Sequence, residues 1–295
     1  MLPGMATKAP VAIVGAGNLG TALALALRSA GYQIEVVVAR SRGVSLKRAR
    51  RLAEQVGARA VVDLLDVRAQ LIWFCVPDAA IAGAARSLAA NAEWRGRIAL
   101  HSSGALTSDE LGELRRRGAN VASVHPMMTF VRGAYLSRSQ RSLAGVPFAV
   151  EGDPPAVRVA RHVVRDLGGH TYAIRKKDKA AYHAWGTFAS PLFTALLATT
   201  ERVAVLAGVN RKEAKRRMIP ILQQTLANYA ALGAAGAFSG PIVRGDVATV
   251  KGHLRALRGA GVAREVYSAL ARGALKYLPA KNKKLLKQLL DSQRD

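Results

Sequence analysis

The sequence predicts an α/β fold: an N-terminal doubly wound parallel sheet over residues 8–175, followed by an all-helical domain over residues 176–295. Three observations carry this expectation. Short strand signals alternate with helical segments through the first part of the chain, the pattern of parallel strands joined by crossover helices. Several strands, "AQLIWFCV" among them, are apolar almost without a break, as strands covered on both faces are. From about Lys176 the strand signals stop and only helical segments follow.

Taken in order, Val11–Val14 is the first strand, and a helix follows it to Ala30. "YQIEVVV" (32–38) is the next strand and "SLKRARRLAEQVG" (45–57) the next helix. "AQLIWFCV" (69–76) is a fully buried strand that Pro77 stops, and Asp78 can cap the helix "DAAIAGAARSLAA" (78–90). "GRIALHSS" (96–103) is a strand, "LTSDELGELRRRG" (106–118) a helix and "NVASVHP" (120–126) a strand. "VPFAVEG" (146–152), a helix over 155–167 and "HTYAI" (170–174) complete the sheet. Helices are expected over 178–207, 211–232, 246–257, 262–277 and 280–290, the first bent by Pro191.

The 295 residues suffice for two medium domains with a sizeable core. The single cysteine, Cys75, excludes a disulfide framework and a cysteine zinc site, and it fits a reducing cytoplasm. The opening "MLPGMATKAP" places Pro and Gly where an export signal is apolar, so a cytoplasmic location without membrane spans is expected. Forty-four Lys and Arg against nineteen Asp and Glu give a net charge of +25. The cations are spread over many helices and no nucleic-acid motif accompanies them. The expectation is a solvated basic surface on a protein that handles anionic small molecules, with no nucleic-acid partner.

"VAIVGAGNLGTALALAL" sets Gly15-x-Gly17-x-x-Gly20 between a strand and a helix. In that context Gly15 permits the tight turn and Gly17 lets a diphosphate approach. Gly20 allows close helix packing, and the helix N-terminus at Asn18 and Leu19 faces the phosphates. The second strand ends at Arg40-Ser41-Arg42, where an NAD-preferring site carries a carboxylate. Two guanidiniums and a hydroxyl hold a 2′-phosphate, so the cofactor expected is NADP(H). The turn Val76-Pro77-Asp78 should meet the cofactor's nicotinamide half.

"HSSGAL" (101–106) and "HPMMTF" (125–130) follow strands whose carboxyl ends share that rim. They put His101, Ser102, Ser103, His125 and Thr129 where nicotinamide and substrate would meet, and Gly104 leaves room for a ring. In "KDKAAYHAWGTFASP", Lys179, His183, Gly186 and Ser190 fall within about 60° of one helix face, between apolar flanks. That is a polar stripe on an otherwise buried helix. In "SGPIVRGDVATVKGHL", Asp246 is a natural N-cap and Arg244 sits in a tight loop suited to a carboxylate.

These motifs resemble a two-domain family of predicted oxidoreductases, with a Rossmann-like N-terminal half and a C-terminal domain of unknown function. The carrying residues are "GAGNLG" (15–20), "VPD" (76–78), "HSSG" (101–104), "HPMMTF" (125–130), "YH" (182–183) and "GPIVRGD" (240–246), spread over nearly the whole chain. The family is similar to 6-phosphogluconate dehydrogenase, pyrroline-5-carboxylate reductase, ketopantoate reductase and the β-hydroxyacid dehydrogenases. The resemblance implies nicotinamide dependence and a homodimer formed through the helical domain. It implies a lysine and a nearby Asn or His acting on the substrate, matched in position by Lys179 and His183. Ser190 stands where relatives often have Asn.

The activity expected is NADPH-dependent reduction of a small carboxylate-bearing carbonyl or imine compound, with a ketopantoate-like substrate among the candidates. His183 or Lys179 would supply the proton, and Ser103 and His125 would orient the substrate. Arg244, Ser190, Asp246 and Thr129 would bind it, and His101 would join the cofactor contacts. Two other readings stay open: electron exchange between NADP and a deazaflavin, and a non-catalytic NADPH-binding sensor or scaffold. No metal site is expected.

Overall fold

The computed structural model describes residues 8–62, 68–90, 93–131 and 143–292. Most of the segment read for an export signal, and residues 293–295 of the expected helical domain, lie outside these. The chain divides into two compact units, Met1–Thr187 and Phe188–Asp295.

In the first unit the strands are β1 (Val11–Val14), β2 (Ile34–Val38), β3 (Arg59–Val61), β4 (Leu71–Phe74), β5 (Ile98–His101), β6 (Asn120–Pro126), β7 (Pro147–Gly152) and β8 (His170–Ala173). They form one sheet in the order β3-β2-β1-β4-β5-β6-β7-β8. Pairing is parallel from β3 across to β6. Strand order therefore turns back between β1 and β4, which opens the crevice beyond their carboxyl ends where such sheets bind ligands.

Two features depart from the expected parallel sheet. β3 is not among the expected strands, because three residues are too few to show a period. β7 pairs antiparallel to β6, with β8 parallel to β7. A parallel neighbour needs a crossover of a dozen or more residues, usually a helix; an antiparallel one does not. Residues 127–131 and 143–146 contain no helix. Apolar periodicity marks a strand's existence and carries nothing about its direction.

Helices α1 (Asn18–Ser29), α2 (Val44–Val56) and α5 (Pro154–Asp166) cover one face, and α3 (Asp78–Ala89) with α4 (Gly112–Arg116) cover the other. Alternate residues of β1 feed the two cores: Val11 and Ile13 pack on one side, Ala12 and Val14 on the other. That two-sided burial is why the strands read as unbroken apolar runs. Each fully buried Leu, Ile or Val contributes roughly 1.5–3 kcal/mol, so the carboxyl rim stands on a stiff base.

Helix α6 (Lys179–Thr187) belongs to the first unit. The helix expected over 178–207 is broken: Phe188–Leu192 is a π-helical turn containing Pro191, and α7 (Phe193–Leu206) continues beyond it. Proline lacks the N–H that the α-helical ladder needs, and the wider turn absorbs the loss. The helix is buried on one side only within the chain: Lys179 and Tyr182 are buried, whereas Trp185 and Phe188 are 61% and 71% exposed.

The second unit contains α7, α8 (Arg211–Ala237), α9 (Pro241–Arg244), α10 (Val247–Ala256), α11 (Gly261–Tyr277) and α12 (Lys283–Asp291). α8 kinks at Gly233, whose φ of 69° is left-handed, so its straight part ends where helix 211–232 was expected to end. Val250, Leu254, Ala271, Leu275, Leu286 and Leu290 from α10, α11 and α12 form its core.

Candidate functional site

The glycine turn is built as a cradle. Gly15 has φ +106°, and a Cβ there would stand 2.7 Å from the Cys75 carbonyl oxygen. A Cβ on Gly20 would stand 2.0 Å from the Gly15 carbonyl oxygen, so α1 lies directly on the turn. At Gly17 the nearest atom to such a Cβ is 4.0 Å away; the protein leaves that space free. Gly17 is also the N-cap of α1 with no side-chain cap, so the first-turn N–H groups keep their capacity for an anion. A diphosphate therefore fits here. Asn18 Nδ2 donates to the Phe130 carbonyl at 3.0 Å, which ties the turn to the "HPMMTF" segment. Leu19 packs on the core, so only its backbone can serve a ligand.

Arg40, Ser41 and Arg42 are exposed beyond β2, and the Arg40 N–H donates to Ser45 Oγ at 3.1 Å. Sequence reasoning overlooked a second pair of cations. Arg48 and Arg51, one turn apart on α2, line a cavity of about 190 Å³ with Ala16, Gly17, Asn18, Thr21, Leu52 and Gln55. Neither arginine has an ion-pair partner among the described residues. Their i, i+3 spacing in "LKRARRL" was the available signal.

At the rim several expected site residues turn out to be structural. His101 is fully buried: its Nδ1 accepts from the Ser103 N–H at 3.1 Å, and its Nε2 lies 2.9 Å from the Thr107 carbonyl, which it must donate to. With both ring nitrogens engaged, its side chain cannot contact a cofactor, which corrects the expected role. Burial pushes its pKa down to about 4 against the Thr107 carbonyl, with Lys179 reinforcing the effect. The Ser103 hydroxyl donates to Asp78 Oδ2 at 2.8 Å and accepts from the Ala105 and Leu106 N–H groups, leaving nothing for substrate. Asp78 is not an N-cap; Pro77 holds that position, and Asp78 anchors the "HSSG" loop instead. Val76 packs against the core, and Pro77 is exposed. Ser102 accepts from Trp73 Nε1 at 2.8 Å.

Lys179 opens α6 but points under the rim, only 1% exposed. Its Nζ donates to the Ser103 carbonyl at 3.0 Å and to Ser123 Oγ at 2.6 Å. Burial lowers its pKa to about 8, with Glu151 and Asp78 opposing. It joins α6 to the loop after β5 and to β6. The stripe therefore splits. Gly186 gives clearance to Met127, whose Sδ would lie 3.2 Å from a Cβ there. His183 is exposed and stands against Gly104.

Gly104, His125 and His183 converge. A Cβ on Gly104 would lie 2.7 Å from His183 Cδ2 and 2.8 Å from His125 Nε2. The two imidazoles are edge to face, 6.3 Å between centroids. His125 Nδ1 is 2.7 Å from Tyr182 Oη. Burial lowers the His125 pKa to about 4, helped by Lys179, His183 and His101. His125 is therefore neutral at pH 7. Thr129 is exposed.

Ser190, Arg244 and Asp246 belong to the second unit. Ser190 lies in the π-helical turn, its carbonyl accepting from Thr194 Oγ1. Arg244 ends a helical turn, α9, where a loop was expected; Pro241 at its start fixes a helical φ and Gly245 closes it in the left-handed region. Its guanidinium is exposed. Asp246 caps α10 as expected, but both carboxylate oxygens are taken by Thr249, by the N–H at 3.0 Å and by Oγ1 at 2.7 Å. That leaves it poorly placed to bind substrate. Among the described residues no group of three or more His, Cys, Asp or Glu could hold a metal, and no helix is long and apolar enough to cross a membrane.

Residues 5–126 match the Rossmann-like domain family, and residues 146–274 match the domain of unknown function DUF2520. No curated protein is similar to the chain at a significant level. Among solved structures, protein TM1727 from Thermotoga maritima is 24% identical with a TM-score of 0.69, over 97% of this chain and 100% of that one. A candidate NADP oxidoreductase, BF3122 from Bacteroides fragilis, is 22% identical with a TM-score of 0.74, over 90% and 98%. An imine reductase from Myxococcus stipitatus in complex with NADP+ is 18% identical with a TM-score of 0.63, over 95% and 99%. At these identities the likeness establishes the fold.

Proposed function

We propose that this chain is an NADP(H)-dependent oxidoreductase that reduces a small carboxylate-bearing carbonyl or imine compound. The observation carrying this reading is the pairing of an open, uncapped glycine cradle with a two-histidine cluster on the same unit. Gly17 and the first turn of α1 would hold the diphosphate, and Arg40, Ser41 and Arg42 the 2′-phosphate. Arg48 and Arg51 add positive charge beside the turn. When bound, the reduced nicotinamide supplies the hydride, two electrons to the substrate carbon.

The chain's own residues supply the rest. His183 is the group we assign as proton donor to the substrate oxygen or nitrogen, which yields an alcohol or an amine. His125 orients the same atom. Lys179, buried beneath the rim and held there by two hydrogen bonds, is the residue we assign to positioning α6 and the "HSSG" loop rather than to giving up a proton. Arg244 is the residue we assign to the substrate carboxylate. The crowding of Gly104 by two imidazoles favours a small-substrate reductase over deazaflavin exchange, which needs a wide flat cleft.

The assembly we propose is a homodimer through the second unit. α7 buries none of its residues and α8 only Ala214, while Leu206, Ile221, Leu226, Tyr229 and Leu232 lie exposed. Apolar surface of that extent fits a second copy of the chain.

The test is NADPH oxidation across a panel of 2-oxo acids and cyclic imines, with parent and His183→Ala protein. Turnover that falls roughly 10²- to 10⁴-fold in the variant, with NADPH affinity kept, is the expected outcome. NADPH binding without turnover on any substrate would favour the sensor reading.

A further inference from the structure

Tyr182 is part of the two-histidine cluster, yet the chemistry above gives it no task. It is 7% exposed, and its hydroxyl meets His125 Nδ1 at 2.7 Å. The hydrogen in that bond could in principle sit on either partner, and the surroundings decide it. A buried hydroxyl that donates to nothing costs about 1–3 kcal/mol. Tyr172, whose ring is 6.2 Å from that of Tyr182, is the other acceptor to weigh: its phenol lies near enough to help raise the Tyr182 pKa, yet its hydroxyl forms no hydrogen bond of good geometry, whereas His125 Nδ1 does at 2.7 Å. His125 Nδ1 is therefore the acceptor. Burial pushes the Tyr182 phenol above its ordinary value and keeps it protonated, while the neutral imidazole offers a lone pair. A neutral imidazole carries one ring hydrogen, so accepting at Nδ1 places it on Nε2. That nitrogen faces Gly104, beside His183.

We infer that Tyr182 is a positioning residue that donates to His125 Nδ1 and fixes the ring as its Nε2–H tautomer, making His125 a neutral N–H donor aimed at the space before Gly104. The class of ligand this donor suits is a carbonyl oxygen, an imine nitrogen or a carboxylate that accepts a hydrogen bond. The inference rests on the reductase reading for its use, and not for its geometry. A neutral donor polarises a substrate oxygen without competing for the proton that His183 delivers. The opposite tautomer would present a lone pair there and repel the same atom. Tyr182 and His183 thus divide the work through adjacent positions on α6, one holding its imidazole partner and one acting at the cleft.

The experiment is long-range ¹H–¹⁵N correlation spectroscopy of the full-length protein, labelled at histidine, at pH 7. The His125 signal is assigned by its loss in His125→Gln. The parent should show Nε2 as a protonated, pyrrole-type nitrogen and Nδ1 as a bare, pyridine-type one. In Tyr182→Phe, checked for folding by its melting temperature, the two shifts should move toward each other as both tautomers become populated. A parent ring protonated at Nδ1, or a Tyr182→Phe spectrum identical to the parent's, overturns the inference. If Tyr182→Phe does not fold, the parent spectrum alone decides the tautomer. NADPH titration of the parent tests the reductase reading separately, so a protein with the Nε2–H tautomer that binds no NADPH would refute that reading and leave the tautomer standing.

Discussion

Two glycines three residues apart separate packing from ligand binding. Replacing Gly20 with Ala puts a methyl carbon 2.0 Å from the Gly15 carbonyl oxygen and 3.1 Å from Cys75 Cβ, and a backbone atom cannot swing aside. α1 must lift from the turn, at a cost of about 3 kcal/mol or more. For a chain of this size that is a fall of about 6–12 °C in melting temperature. Gly17→Ala meets nothing nearer than 4.0 Å, and its φ of −78° suits alanine. Alanine is the poorer N-cap by about 1 kcal/mol, but it also restricts the unfolded chain, which returns about 0.4–1 kcal/mol. The melting temperature should stay within about 3 °C of the parent. The new methyl would nonetheless occupy the approach to the α1 N–H groups. A hydrogen bond from backbone to a charged phosphate is worth about 1.5–3 kcal/mol, so losing even one weakens NADPH roughly 10- to 100-fold. Thermal melts and fluorescence titration with NADPH read both quantities. A Gly17→Ala protein that binds NADPH within about threefold of the parent would refute the placement of the diphosphate.

Arg40 and Arg42 replaced together by Ala should abolish a preference for NADPH over NADH expected to be at least about tenfold, or about 1.4 kcal/mol. Arg48 and Arg51 replaced together should weaken both cofactors by a common factor, because their cavity borders the glycine turn; titrations with NADPH and NADH separate the two outcomes. His101 and His125 have folded pKa values depressed to about 4. The unfolded chain binds their protons near pH 6.5 and the folded one does not, so stability is full above about pH 6.5 and falls as pH drops toward 4. For the fully buried His101 the loss between pH 7 and 5 is about 2 kcal/mol, measurable in urea melts, and His101→Asn should flatten that slope. Light scattering at micromolar concentration should give twice the chain mass, and Ile221→Glu with Leu226→Glu should return a monomer without unfolding the first unit.

Much of the fold was legible because its signals are local. The runs of β1 and β4, buried on both faces, are visible as composition, and the glycine fingerprint fixes the turn between β1 and α1. The straight part of α8 gives way at Gly233, one residue past the helix expected over 211–232. The direction of β7 was not legible, because a strand's apolar pattern is the same read either way along the sheet. The break at Phe188–Leu192 was half legible: Pro191 forecasts a disturbance, but whether the ladder kinks or widens depends on what surrounds it.

The site was legible as a place and less so as a set of roles. Polar residues at the ends of buried strands mark a rim, yet a histidine or serine there serves a ligand or holds the loop, and its residue type alone does not tell which. The deciding partners lie far along the chain: Asp78 for Ser103 across 25 residues, and Ser103 for Lys179 across 76. The "YH" pair shows what a finer reading extracts. Consecutive helical residues project about 100° apart, so one of two neighbours beside a cleft turns toward the sheet and the other toward solvent. Tyr182 is the buried one and His183 the exposed one, and both meet His125 because that residue stands where β6 ends beneath α6. A Gly104→Ala substitution presses on this arrangement from the third side. His183 can rotate away at the surface, whereas His125 is pinned through Nδ1, so the fold should survive with a loss of about 1–3 kcal/mol. Reductase turnover should disappear while NADPH still binds. Full turnover in that variant would mean that the space before Gly104 is not where the substrate sits.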